Sequence, residues 1–168
     1  MTDFNDFYNR IPKGLITWTF VIALLIDLIP FPFDSYAWLP ECTALVLLYW
    51  VINRPYTVGI VAAFICGIML DIGITSLLGL HALSYMFMAF FVQKYQRYIV
   101  LQSYGFQAVA VFIALMANEI FLMSARLIYT HRLTGWLGLL APLIGALLWP
   151  MLNKIMLYVL NLRRRRRR

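Results

Sequence analysis

The stretch Tyr104–Tyr129, YGFQAVAVFIALMANEIFLMSARLIY, holds one acidic and one basic side chain in 26 residues. As a helix rising 1.5 Å per residue it would be about 39 Å long, enough to cross a hydrocarbon layer of about 30 Å with some tilt. Similar apolar stretches lie on either side of it, at about 14–29, 39–52, 56–74, 77–92 and 136–160. Together they predict an all-α membrane protein, a bundle of six transmembrane helices forming one domain over residues 1–168. Composition agrees: 63% of the chain is hydrophobic, 12% is charged, and the mean hydropathy is +0.80. A water-soluble domain is usually about a quarter charged.

Punctuation between the stretches supports the same division. Pro30-Phe31-Pro32-Phe33 stops the first, since proline cannot continue a helix and aromatics suit an interface. Pro40 and Glu41 suit the first turn of the second, where proline needs no donor and a carboxylate complements the helix dipole. Arg54 and Pro55 end it. Thr75 and Ser76 mark a tight hairpin, the basic segment Lys94–Tyr98 follows the fourth span, and Thr130–Thr134 forms a polar turn. Asp3 and Asp6 replace the basic start of a signal peptide, so the N-terminal residues predict none.

Charge sets the expected orientation. Fourteen Lys and Arg against seven Asp and Glu give +7, and the last six residues are all arginine. With both termini inside, Arg10, Lys13, Arg54, Lys94, Arg97, Lys154 and Arg163, Arg164, Arg165, Arg166, Arg167 and Arg168 face the cytoplasm, leaving Arg126 and Arg132 outside. Retention of positive residues on the inner side therefore predicts N-in, C-in. The basic residues flank apolar runs instead of covering a polar surface, which argues against nucleic acid and for anionic lipids as contacts of the arginine tail.

Gly59, Ala63, Gly67 and Asp71 recur every four residues and share one helical face. Small residues there permit close approach of another helix, and the stripe ends in an ionisable group. Two uses are open for this face: fold packing, with Asp71 capping the hairpin or bonding Thr75 or Ser76, and contact with a partner or pocket. His81 suits a hydrogen-bond partner better than a metal ligand, because no second His or Cys lies at ligand spacing. Glu119, beside Asn118, is expected to face the bundle interior. Asp27, Asp34 and Glu41 need no more than interfacial solvation. Gly138, Ala141, Pro142 and Gly145 predict a further close-packed face, Pro150 predicts a kink, and Lys154 snorkels. Cys42 and Cys66 sit in separate apolar segments and suggest neither a metal site nor a disulfide. No nucleophile elbow, P-loop, HExxH or dinucleotide glycine pattern occurs, so neither an enzyme nor a cofactor is predicted.

Several of these features occur in a familiar order. Pro30-Phe31-Pro32, Leu47-Leu48-Tyr49-Trp50 with Arg54-Pro55, Gly67 to Asp71, Gly79-Leu80-His81-Ala82-Leu83 and Leu148-Trp149-Pro150 together resemble the MreD family of rod shape-determining membrane proteins, over roughly residues 15–160. The resemblance implies a non-enzymatic scaffold of the cell-wall elongation machinery in the bacterial inner membrane, acting with MreC, MreB, RodA and its transpeptidase partner. It also implies a fold similar to the substrate-binding subunits of vitamin transporters. That likeness keeps an alternative open, a small-molecule or lipid-binding transport subunit with a buried polar pocket near Asp71, His81 and Glu119. A homo-oligomer also stays open.

Overall fold

The computed structural model describes residues 13–29, 38–74, 77–130 and 136–165. Among them the regular structure is helical: α1 (Lys13–Asp27), α2 (Cys42–Asn53), α3 (Ile60–Ile74), α4 (Leu80–Leu101), α5 (Tyr104–Thr130) and α6 (Ala141–Arg165), the last preceded by a 3₁₀ turn at Trp136–Leu140. The expected proline stop at Pro30–Phe33, the turn residues Thr75 and Ser76, most of the Thr130–Thr134 turn, and Asp3, Asp6, Arg10, Asp34, Arg132 and Arg166 to Arg168 lie outside the described residues.

Helix α2 is the centre. Ten consecutive residues from Thr43 to Ile52 are buried, so every face of this helix meets protein. A sequence apolar all round can be used in this way, whereas an amphipathic one would need a solvent stripe. α2 packs against α1, α4 and α6; α1 and α4 also hold α3, and α5 lies between α4 and α6. Tyr49 joins α2 to α6 through a ring contact of 6.4 Å with Trp149, and the Trp50 ring lies edge-on to it at 5.2 Å within α2. The Trp50 indole N–H donates to Thr19 Oγ1 of α1 at 2.9 Å.

Among the described residues two segments are long and apolar enough to cross a membrane, Tyr104–Tyr129 and Gly138–Leu160. Their outward surfaces carry Ile113, Ile120, Leu147 and Met151, all exposed. Helices α1, α2 and α3 are apolar but shorter, at 15, 12 and 15 residues. At 1.5 Å per residue α2 covers only about 18 Å.

Several boundaries differ from expectation, each for a local reason. The basic segment Lys94–Tyr98 is no separate flank: α4 runs through it to Leu101. Lys94, Arg97 and Tyr98 point outward there while Gln96 and Ile99 are buried, so these turns are amphipathic and remain docked on the core. α3 starts at Ile60 and not at Tyr56, because Arg54 C=O accepts from the N–H groups of Thr57 and Val58 and closes a turn first. The last span opens as a 3₁₀ turn, and α6 proper begins with Pro142 in its first turn, where a missing N–H costs nothing. Pro150 lies inside α6, which continues as helix on both sides of it, past Leu160 to Arg165.

Candidate functional site: a buried histidine between two carboxylates

Asp27, Glu41, Asp71 and His81 collect where α1 and α3 end and α2 and α4 begin. Helix starts leave N–H groups unpaired, and such groups attract carboxylates. Asp27, the last residue of α1, accepts from the N–H of Cys42 at 2.8 Å and of Thr43 at 2.7 Å, so the α1 carboxylate caps α2. Asp71 repeats the device one hairpin later. Its carboxylate accepts from the N–H groups of Gly79 (2.9 Å), His81 (3.1 Å) and Ala82 (3.3 Å) at the start of α4. Gly79 supplies the entry with φ of 96°, the left-handed region in which a side chain would be strained.

With Asp27 in place, Glu41 does not cap its own helix. Its carboxylate reaches α4 instead, accepting from the Tyr85 hydroxyl at 2.6 Å and lying 3.3 Å from His81 Nε2. The other ring nitrogen, Nδ1, lies 2.6 Å from Asp71 Oδ1. Asp71 and His81 are 0% and 1% exposed, so both are removed from solvent and depend on each other for charge and hydrogen bonding. Glu41, His81 and Asp71 therefore link α2, α4 and α3 in one chain of contacts. The expectation that interfacial solvation suffices for Asp27 and Glu41 is corrected here, since each has a specific tertiary partner.

The remaining candidates lie along α3, on α5 and at the end of α6. Gly67 meets the first turn of α4 so closely that a Cβ would overlap the backbone of His81 and Ala82. Ala63 is fully buried, and a Cβ on Gly59 would touch Gln93. The small-residue face thus lies against α4 of the same chain, and it positions Asp71 beside the α4 N-terminus. Glu119 is partly buried on α5, within electrostatic reach of Glu41, His81 and Arg126 but not among the hydrogen-bonded groups described above. Its neighbour Asn118 is buried and accepts from Ser84 Oγ at 2.6 Å. Arg163 to Arg165 prolong α6.

Sequence reasoning found Asp71 and His81 and missed Glu41, Tyr85 and Asp27. Asp27 and Glu41 both precede the start of α2, and nothing local says which of the two caps it. Among the described residues no group of three or more His, Cys, Asp or Glu is arranged to hold a metal ion. Both ring nitrogens of His81 already face carboxylates.

Helical structure throughout the described residues, with two apolar helices of membrane-spanning length, fits a membrane-associated protein. Comparison with known proteins gives the family. The model of the rod shape-determining protein MreD matches residues 8–159. The rod shape-determining protein MreD of Haemophilus influenzae is 34% identical over 137 residues, covering 78% of this chain and 81% of that protein. The chain belongs to the MreD family of rod shape-determining proteins. No solved structure matches the chain.

Proposed function

We propose that the protein is a six-span scaffold, N-in and C-in, whose outward helix faces bind the transmembrane helices of MreC and of the RodA–transpeptidase pair, while its inner rim serves the MreB filament. One observation carries this reading: the strongest polar contacts are turned into the bundle, and what is left facing outward along α3, α5 and α6 is large and apolar. Interfaces inside a bilayer are made by shape and packing on such faces. In this reading Gly59, Ala63 and Gly67 act by seating α3 on α4, and partner helices meet residues such as Val61, Phe64 and Ile72 on the opposite side of α3. Shorter helices cross by local thinning of the bilayer and by capping of their ends within it.

Lys94, Arg97, Lys154 and the arginine tail form the inner rim in this orientation, with exposed Tyr95, Tyr98 and Tyr158 beside them. Anionic headgroups attract each such cation by about 1 kcal/mol near the surface. A small-ligand pocket would draw on the same buried carboxylates, which already serve Gly79, His81, Ala82 and Tyr85. The scaffold reading is therefore preferred.

Site-directed cross-linking in living cells tests it. A photo-reactive residue in place of Phe64 is expected to capture MreC or a partner of the elongation machinery, and one in place of Ala63, facing α4, is expected to capture none. Equal capture from both positions, or from neither, would refute the assignment of the outward α3 face.

A further inference from the structure

Donors and acceptors around His81 do not balance with a neutral ring and two ionised carboxylates. A neutral imidazole has one N–H and one lone pair. If Nδ1–H donates to Asp71 at 2.6 Å, Nε2 turns its lone pair toward Glu41 Oε1 at 3.3 Å. Two acceptors facing each other at that distance repel. The second oxygen of Glu41 already receives the Tyr85 hydroxyl, and the Asp71 oxygens receive three backbone N–H groups, so neither carboxylate is free to turn away.

We propose that the Glu41–His81 contact is a proton-binding site, in which one proton held between Nε2 and the Glu41 carboxylate fastens the start of α2 to α4, and whose release to solvent unfastens it. The surroundings suit this. Asp27 of α1 lies within electrostatic reach of Glu41. Asp71 comes from α3, whose Cys66 faces Tyr85. α5 contributes Glu119 and the cation Arg126. The charged residues of α6 begin only at Lys154, in the second half of that helix. Three further carboxylates against one fixed cation leave the site short of positive charge, and a retained proton restores part of it.

The sign follows from linkage. The folded state requires a proton that an unfolded chain gives up near pH 6.5, so the contact stabilises at lower pH and is lost as pH rises. One proton of linkage weakens folding by up to about tenfold per pH unit. This inference does not depend on the scaffold role.

The test uses the full chain in lipid nanodiscs, followed by thermal unfolding from pH 6 to pH 9. The wild type is expected to lose stability steadily over that range. Glu41→Gln supplies an amide N–H to a neutral Nε2 and still accepts from Tyr85, so its midpoint is expected to stay flat. A flat wild type, or an equal slope in both proteins, would overturn the proposal. Should Glu41→Gln not fold, nuclear magnetic resonance of the His131→Gln chain carrying 15N histidine and 13C glutamate decides at pH 8. A proton on Nε2 or on the Glu41 carboxyl supports the site. A ring protonated at Nδ1 alone beside an ionised Glu41 overturns it.

Discussion

The two ends of α2 are closed by different chemistry. At its start the free N–H groups meet the Asp27 carboxylate, and the neighbouring Glu41 joins His81 and Asp71, so charge does the work. At its end and in the turn that follows, backbone carbonyls meet neutral amides. Gln96 Nε2 donates to Ile52 C=O at 2.7 Å, Gln93 Nε2 to Pro55 C=O at 2.9 Å, and Asn53 Nδ2 to Tyr49 C=O at 2.8 Å. Both solutions satisfy backbone groups that a nonpolar environment cannot. Only the first can change with pH. The difference teaches that the bundle has one end whose cohesion is tied to protons and another whose cohesion is fixed.

The largest way to break this asymmetry is Asp71→Ala. It removes the acceptor of three N–H groups and leaves His81 facing Glu41 alone, and separating a buried charge pair costs about 3–5 kcal/mol. A lower unfolding midpoint in nanodiscs, with a steeper loss than any substitution at the amide end, is the expected result. Gln96→Leu probes that other end. It strands the Ile52 carbonyl, for about 1–3 kcal/mol, and the loss is expected to be the same at pH 6 and pH 9 because no titrating group is involved. A pH-dependent loss there would erase the distinction between the ends. The smallest effect belongs to Asp27→Asn, which keeps an acceptor oxygen for Cys42 or Thr43 but gives up the charge, at about 1 kcal/mol by chemical denaturation.

Much of this was legible in the sequence. Six apolar stretches mark the six α-helices of the described residues, because length and apolar content are properties of a segment alone. The Gly59 to Asp71 stripe was legible as a packing face for the same reason, and the hairpin-capping role expected of Asp71 is what its bonds to Gly79, His81 and Ala82 perform. Glu41 was not legible in this way. Its position before α2 already has a sufficient local explanation in the helix dipole, and only the approach of α4 shows that Asp27 has taken that task. Residues 94–98 misled through their charges: Lys94 and Arg97 suggest a flank, while Gln96 between them holds the end of α2. Tertiary capping pairs residues distant in sequence, and no local period encodes it.

Enclosure of α2 also has a consequence for how the chain is made. Its wall is finished by α6, where Trp149 meets Tyr49 and Gly145 lies beside Leu45, a hundred residues later in synthesis. Until α6 emerges, one side of the most enclosed helix lacks that protein neighbour. Chains that stop before α6 would leave that flank of α2 uncovered.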